Sequence, residues 1–367
     1  MKLSERLKPN LNHDYVVRVL EGLKAEKHIV IFGAGDRAQW LGKILLTRGI
    51  EFEEFWVNEK YYTENQYVNV GGNRKPVLCF ELEIEKKNDV ILIFGMARSL
   101  LDLSQFERKE IKEVIPISFG IRGDYLLDYG FYREQAEKLD ELYEKLEDDE
   151  SRECLYAHML GRLTGEDIEF KPSTWSDPQY FLEELMVWKK KECLVDCGAY
   201  TGDTVAEFLD KMPEGSVEEY EVYAWEPDPV NFNVMVEKYK NDHCVIPVLK
   251  GAFSRRDKLY FAEGDGEASA ISESGNVIID VDTIDNVLGE NKATFIKMDV
   301  EGSELEALHG ARKQIMENKP RLAICVYHKK EDLIAIPEYI HKLNPEYRFY
   351  LRTHSKMPTE LVLFCIS

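Results

Sequence analysis

The stretch Cys193-Leu-Val-Asp-Cys-Gly-Ala-Tyr-Thr-Gly-Asp-Thr204 decides the fold that we expect for this chain. A short apolar run ends at Asp196, and Gly198 and Gly202 follow it. This order predicts a strand, a glycine turn and a helix. We expect the two glycines to let the backbone approach a ligand without interference from a Cβ atom, so the stretch predicts a nucleotide-type cofactor pocket. Either Asp203 or Thr204 is expected to cap the helix.

The length and charge of the chain limit what it can be. Its 367 residues are enough for two domains, since a single domain usually has about 100 to 200 residues. The formal net charge of −21 argues against a nucleic-acid surface, which needs clustered Lys and Arg. Apolar runs such as Val90–Phe94 are far too short to cross a bilayer, and the N-terminus has no apolar signal region. We therefore expect a cytoplasmic protein that neither inserts into a membrane nor binds nucleic acid.

A second strand–glycine–helix pattern lies near the N-terminus, at His28-Ile-Val-Ile-Phe-Gly-Ala-Gly-Asp-Arg-Ala38. Gly33 and Gly35 fit the Gly-x-Gly-x-x-Gly/Ala form of dinucleotide-binding turns. An acid about 20 residues further on should bind the ribose, but Asn58 stands there. We therefore expect a small Rossmann-like domain that serves packing, assembly or substrate selection and binds no nicotinamide cofactor. Its strands are expected near 28–32, 52–57, 90–94 and 113–118, after a helix over 11–26.

The middle of the chain is expected to be helical, with charged amphipathic helices over 125–150 and 151–165. The segment 171–181 combines prolines with aromatic residues and is expected to be irregular. It could close over the cofactor pocket or tether the domains. The predicted organisation is a Rossmann-like domain over 1–124, a helical linker and aromatic loop over 125–190, and a larger domain over 191–367.

Alternating strands and helices are predicted from residue 191 to the C-terminus. The last two strands follow each other without a helix, so they should be antiparallel neighbours. This pattern predicts an α/β fold with a doubly wound, mostly parallel seven-stranded sheet and an antiparallel last strand. Ser303 and Glu306 suggest a capping box for a helix over 303–317. The expected strands are 193–197, 221–226, 245–249, 294–299, 321–328, 347–351 and 361–366, with a hairpin insertion over 259–280.

Acids and small residues stand where the predicted strands end. Glu226 follows the second strand, where a doubly wound sheet places a carboxylate for the two ribose hydroxyls. Ala252 and Phe253 follow the third strand and could line an adenine slot. Asp299 ends the fourth strand, and His328 ends the fifth. The sequence therefore predicts one binding edge at the carboxyl ends of these strands.

Taken together, these segments resemble the FkbM-type methyltransferases. The segments that carry the resemblance are 195–204, Glu226-Pro227, Lys297-Met-Asp-Val-Glu-Gly-Ser-Glu304, 326–329 and Leu351-Arg352. The linker segments 149–152, 162–165 and 179–181 resemble the branch of that family with an N-terminal Rossmann-like domain. The resemblance implies a class I methyltransferase fold, S-adenosylmethionine as the cofactor, and a hydroxyl on a sugar, a glycan precursor or a secondary metabolite as the acceptor.

The resemblance and the strand ends together suggest the site residues. General-base help needs a side chain close to the acceptor, and His328, Asp299 and Glu301 are expected to converge there as catalytic residues. Lys297 is expected to balance buried carboxylates. The expected cofactor contacts are Asp196, Gly198, Ala199, Tyr200, Thr201, Gly202, Asp203, Thr204, Glu226, Pro227, Ala252, Phe253 and Asp299.

Several alternatives stay open at this point. The seven cysteines show no metal-binding spacing, and we expect no metal site, although two carboxylates and a histidine could bind a divalent cation. The N-terminal turn could instead belong to an NAD-dependent oxidoreductase or to a nucleotide-sugar-binding protein. The expected partner is a small-molecule or glycan acceptor, and the N-terminal domain could form a homo-oligomer.

Overall fold

The computed structural model describes residues 1–8, 20–95, 103–116, 129–164, 178–262, 270–271, 277–355 and 360–367. By internal contacts the chain forms two units. The N-terminal unit comprises Met1–Ala136, Tyr156–Phe170 and Lys356–Thr359, and the C-terminal unit comprises Glu137–Leu155, Lys171–Ser355 and Glu360–Ser367. Both units therefore include residues from the predicted linker, and the predicted domain bounds stay a prediction. No helix among the described residues is long and apolar enough to span a membrane.

The N-terminal unit is built on a six-stranded sheet with the order β3-β4-β2-β1-β5-β6. Strand β1 pairs in parallel with both β2 and β5, so the chain order reverses at β1, as in doubly wound folds. The strands are β1 (Ile29–Phe32), β2 (Glu54–Val57), β3 (Tyr67–Val70), β4 (Asn73–Cys79), β5 (Val90–Phe94) and β6 (Ile111–Pro116). The α-helices at its N-terminal end and beside the sheet are Leu3–Leu7, Asp36–Thr47 and Phe80–Glu83.

The four strands predicted for this unit are confirmed, and one hairpin was not predicted. The hairpin is β3–β4, whose antiparallel register brings Val70 opposite Asn73. Gly71 and Gly72 form its two-residue turn with φ values of +57° and +84°. The helix predicted over 11–26 lies largely outside the described residues, as do residues 117–118 of the last predicted strand. All five residues of β5 are buried, as expected for a central parallel strand.

The C-terminal unit contains a seven-stranded sheet with the order β16-β17-β15-β14-β7-β8-β9. The last strand in sequence, β17, lies antiparallel to both of its neighbours, while the other interstrand pairs are parallel. The predicted fold class is therefore confirmed. The strands are β7 (Lys191–Cys197), β8 (Glu219–Trp225), β9 (Val245–Val248), β14 (Phe295–Met298), β15 (Arg321–Cys325), β16 (Arg348–Thr353) and β17 (Leu361–Ile366).

Helices follow most strands of this sheet. The helix predicted over 303–317 is divided near Ala311 into two short helices. Its predicted capping box is wrong, because Ser303 makes no side-chain cap and Glu306 accepts a hydrogen bond from Ser254 instead. The helices that follow the strands are Asp203–Lys211, Pro229–Tyr239, Ile284–Leu288, Glu304–Gly310, Arg312–Asn318 and Asp332–Leu343, and the linker helices are Tyr129–Lys145 and Asp149–Thr164.

The predicted hairpin insertion forms a separate four-stranded sheet with the order β10-β13-β11-β12. Its long pair is antiparallel, with Leu259 opposite Ile279. Residues 263–269 and 272–276 lie outside the described residues. The strands are β10 (Gly251–Ala252), β11 (Asp257–Ala262), β12 (Ala270–Ile271) and β13 (Val277–Asp282).

One edge of the seven-stranded sheet, β16, is covered by the segment that joins the two linker helices. The backbone N–H of Glu147 donates to the carbonyl of Phe349 at 3.0 Å. The N–H of Leu351 donates to the hydroxyl of Ser151 at 2.9 Å. The buried guanidinium of Arg352 lies 2.8 Å from a carboxylate oxygen of Asp148. These contacts pair the outer side of β16 with the preceding segment of the same chain.

Candidate active site

The glycine turn after β7 has the predicted strand–turn–helix geometry. Gly198, Tyr200 and Gly202 all have positive φ values, of +79°, +48° and +77°. The helix begins at Asp203, and its N-cap is Gly202 with no side-chain cap. The expectation that Asp203 or Thr204 caps the helix is therefore wrong, because the left-handed backbone at Gly202 leaves Asp203 already inside the first turn.

The two glycines of this turn are required by the protein itself. A Cβ atom on Gly198 would lie 1.9 Å from the backbone oxygen of Asp299. A Cβ atom on Gly202 would lie 2.5 Å from the ring of Tyr239. The turn therefore closely approaches the loop after β14 and the helix Pro229–Tyr239, and the expected approach to a ligand stays a prediction. As a result the turn is held directly against the loop after β14.

Glu226, at the end of β8, points its carboxylate at the glycine turn. One oxygen accepts a hydrogen bond from the N–H of Tyr200 at 2.9 Å, and the other accepts one from the N–H of Asp228 at 2.8 Å. Burial raises the pKa of Glu226 to about 7, although these two backbone donors oppose the shift. Each oxygen keeps capacity for a further hydrogen bond.

Asp196 lies beneath the turn and is completely buried. Its carboxylate is 3.1 Å from the ammonium group of Lys297, which also donates to the carbonyl of Gly198 at 2.7 Å. Burial raises the pKa of Asp196 to about 6, with Lys297 acting in the opposite direction. The expected balancing role of Lys297 is confirmed. Asp196 is thus linked to the glycine turn through Lys297. A direct contact between Asp196 and the cofactor stays a prediction.

The remaining predicted cofactor residues differ in accessibility. Ala199, Thr204 and Ala252 are buried. Phe253 is partly buried and packs against the apolar side chains of the four-stranded sheet. The more accessible members of the set are Tyr200, Thr201, Asp203 and Pro227.

The three predicted catalytic residues lie together at the carboxyl ends of β14 and β15. Nε2 of His328 is 3.5 Å from Oδ1 of Asp299 and 3.7 Å from Oε2 of Glu301. The imidazole is 5% exposed, whereas the two carboxylate side chains are 23% and 24% exposed. The carboxylates therefore form the accessible side of this group, with the imidazole behind them. Glu301 has a φ of +55°, a backbone conformation that is uncommon outside glycine.

Glu304 is a fourth member of the group, and its role was not predicted. It is fully buried, and its Oε1 is 2.8 Å from Nδ1 of His328. The same oxygen accepts hydrogen bonds from the N–H groups of Val300 and Gly302. The sequence signal was present, since Glu304 closes the Lys-x-Asp-Val-Glu-Gly-x-Glu string.

Tyr180, from the segment before β7, also reaches this group and was not predicted to do so. Its hydroxyl donates to Oδ2 of Asp299 at 3.0 Å, and its ring is buried. Burial raises the pKa of Tyr180 well above its usual range, and the negative charge of Asp299 adds to the effect. Tyr180 therefore stays a hydrogen-bond donor at neutral pH and fixes the orientation of the Asp299 carboxylate.

The electrostatics of His328 differ from the sequence-based expectation of a neutral base. Burial alone would lower its pKa, but the carboxylates of Glu304, Asp299 and Glu301 raise it to about 10. Burial opposes the ionisation of Asp299, yet His328 and Lys297 hold its pKa below the usual value. In this arrangement the imidazole of His328 is therefore charged at neutral pH. The carboxylate of Asp299 is ionised and can accept a hydrogen bond.

The surroundings of the N-terminal glycine turn differ from those of the glycine turn after β7. The N–H of Gly33 donates to the carbonyl of Trp56 at 2.7 Å. The amide of Asn58 donates to the side chains of Glu81 and Gln105, at 3.3 Å and 3.0 Å. Asn58 thus binds neighbouring side chains.

The order of the seven strands, the antiparallel last strand and the glycine turn at the carboxyl edge define a class I methyltransferase fold. Residues 196–352 match the family model described as Methyltransferase FkbM domain. The alternative of an oxidoreductase is not favoured by this match.

A solved structure of an FkbM methyltransferase shares the fold. Methyltransferase FkbM from Methylobacillus flagellatus KT is 24% identical, with 99% of this chain and 97% of that chain covered and a TM-score of 0.77. At this identity the likeness shows the fold, and it extends over both units. An rRNA methylase from Streptococcus thermophilus is 17% identical over 50% of this chain and 90% of its own, with a TM-score of 0.33 that carries no argument. No curated protein matches the chain in sequence.

Proposed function

We propose that this protein transfers the methyl group of S-adenosylmethionine to a hydroxyl on a sugar, a glycan precursor or a secondary metabolite. The observation that supports this cofactor is the carboxylate of Glu226, which faces the glycine turn at the carboxyl edge of the sheet. In doubly wound folds a carboxylate in this position receives ribose hydroxyls. The cofactor itself supplies an electrophilic methyl group, so the protein has to bind, align and remove a proton.

Glu226 is suited to hold a diol because its two oxygens are already oriented. Each accepts one backbone N–H and can accept one more hydrogen bond. Hydrogen bonds to an ionised carboxylate are stronger than neutral ones. We therefore assign the contact with the ribose hydroxyls to Glu226. The glycine turn at Gly198 is proposed to form the adjacent wall of the cofactor pocket.

The acceptor hydroxyl is proposed to lie against Asp299 and Glu301, the accessible carboxylates of the catalytic group. The contact between Gly198 and the backbone of Asp299 keeps this group next to the cofactor turn. Alignment of the reacting atoms can supply about 7 to 11 kcal/mol of the barrier, and general-base help adds roughly 10²- to 10⁴-fold. His328, which is more deeply buried, is proposed to hold the carboxylates of Asp299 and Glu301 in place by electrostatic attraction.

Calorimetry of the purified protein tests the cofactor. S-adenosylmethionine and S-adenosylhomocysteine should each bind at one site per chain, while NAD and a nucleotide-sugar serve as comparison ligands. Failure of the folded protein to bind either of the first two would contradict the proposal. The acceptor class is tested by transfer of a labelled methyl group to matched compounds that differ by one hydroxyl. Label should appear in the hydroxylated compound and be absent from its deoxy counterpart.

A further inference from the structure

The catalytic group concentrates negative charge. Three carboxylates, those of Asp299, Glu301 and Glu304, lie within 3.7 Å of the imidazole of His328. The nearby ammonium group of Lys297 is paired with Asp196 at 3.1 Å. Partly buried charges of one sign need a compensating charge, because their solvation by water is incomplete.

The spacing of these groups suits a bound cation. Asp299, Glu304 and His328 each present one ligand atom, and the three atoms lie within 4.8 Å of one another. The separations of 3.5 Å and 3.7 Å from Nε2 of His328 to Asp299 and Glu301 are longer than hydrogen bonds. A cation about 2.1 Å from two ligand atoms holds them about 3 to 4 Å apart.

Unused ligand atoms at the same place are a second, independent observation. Among the described residues, Oε2 of Glu304 and Nε2 of His328 are buried atoms without a hydrogen-bond partner, and so is Oδ1 of Asp299. Glu304 is 0% exposed and His328 is 6% exposed. Buried polar atoms are normally paired, so three unpaired ones in one group indicate a ligand that joins them.

We propose that Asp299, Glu304 and His328 bind a divalent cation of the Mn²⁺ type, with Glu301 as a flanking carboxylate. The cation takes the place of the proton on Nε2 of His328, and Nδ1–H still donates to Oε1 of Glu304. Carboxylate oxygens favour hard cations, and one imidazole extends the set toward the first-row transition metals. A cation here would hold the oxygen of the acceptor hydroxyl and make its proton easier to remove. That role rests on the proposed methyl transfer, whereas cation binding does not.

The test is a titration of the full-length protein with Mn²⁺ after removal of bound metals by a chelator, followed by electron paramagnetic resonance. The wild-type protein should bind one Mn²⁺ per chain. His328→Ala and the isosteric Asp299→Asn should each weaken that binding by at least about 10- to 100-fold, since loss of a direct ligand should cost no less than loss of an outer-shell partner. His243→Ala and Glu317→Gln remove exposed groups elsewhere and should leave it unchanged.

Two results would overturn the proposal. One is the absence of saturable Mn²⁺ binding to the wild-type protein. The other is unchanged Mn²⁺ binding in the folded Asp299→Asn variant. If His328→Ala does not fold, the Asp299→Asn variant is sufficient for the test. S-adenosylhomocysteine binding, measured on the same metal-free samples, separates the two proposals. If S-adenosylhomocysteine binds and Mn²⁺ does not, the cation site is contradicted and the cofactor proposal stands. If Mn²⁺ binds and S-adenosylhomocysteine does not, the cofactor proposal is contradicted and the cation site stands.

Discussion

The two strand–glycine–helix turns of this chain look alike in sequence but differ in what surrounds them. At the N-terminal turn a Cβ atom on Gly35 would meet nothing within 4 Å, and Asn58 is hydrogen-bonded to neighbouring side chains. At the C-terminal turn a Cβ atom on Gly198 would collide with the backbone of Asp299, and Glu226 faces the turn. The glycine pattern therefore predicts a backbone shape, while the residues that surround that shape differ between the two turns.

The largest expected effect comes from adding a methyl group to each turn. Gly198→Ala should destabilise the C-terminal unit by about 3 kcal/mol or more, because a left-handed residue costs roughly 1 to 2 kcal/mol and overpacking adds roughly 1 to 3 kcal/mol. Gly35→Ala should cost about 0.5 to 1 kcal/mol, because Gly35 is the N-cap of the helix Asp36–Thr47, where Gly is preferred to Ala. Hydrogen exchange of β7 and β1 peptides reports each unit separately. Equal loss of protection in the two variants would contradict the comparison.

A smaller effect is expected from the polar residue beside each turn. Glu226→Ala should weaken S-adenosylhomocysteine binding by about 1.5 to 3 kcal/mol, roughly one to two decades, because a hydrogen bond to a charged group is lost. Asn58→Ala is the matched control and should bind the ligand like the wild-type protein. Calorimetry measures both. Wild-type affinity in a folded Glu226→Ala protein would remove Glu226 from the site.

The pH dependence of the same binding is expected to be gentler. Burial raises the pKa of Glu226 to about 7, so the carboxylate is ionised above this pH and protonated below it. Ribose hydroxyls donate more strongly to the ionised form, and affinity should therefore rise roughly tenfold from pH 6 to pH 8. Glu226→Gln should make the profile flat over this interval. A profile that stays steep in that variant would assign the titration to another group.

The smallest expected effect is at the N-terminal turn, where no nicotinamide cofactor is predicted to bind. Fluorescence titration with NADH should show no saturable binding in either the wild-type protein or Gly35→Val. Saturable binding that disappears in Gly35→Val would make the two turns functionally alike.

Much of the fold could be predicted because it depends on local patterns. Apolar runs that end in an acid or a glycine located β7, β8 and β14, and the missing helix before β17 predicted its antiparallel pairing. The pair Gly71 and Gly72 is a sequence signal for the hairpin turn between β3 and β4, because both residues have positive φ.

The site was less predictable because its contacts are distant in sequence. Tyr180 bonds Asp299 from 119 residues away, and no periodicity records such a pair. Ser303 and Glu306 have the spacing of a capping box, yet Glu304 between them is the buried partner of His328. A serine and a glutamate three residues apart also occur where no capping box forms, and here the packing of Glu304 against His328 decides the outcome. The catalytic roles of Asp299, Glu301 and His328 stay predictions.

The covered edge of the seven-stranded sheet bears on self-association. An open edge strand offers unpaired N–H and C=O groups to any other strand, including the same strand in a second molecule. Here the segment with Glu147 and Ser151 occupies those groups on β16. At the opposite edge, β9 carries Pro247, which has no N–H to donate. Both edges of the sheet are thus protected against fibril-like pairing, and loss of the Ser151 hydroxyl would leave the N–H of Leu351 without its partner on one of them.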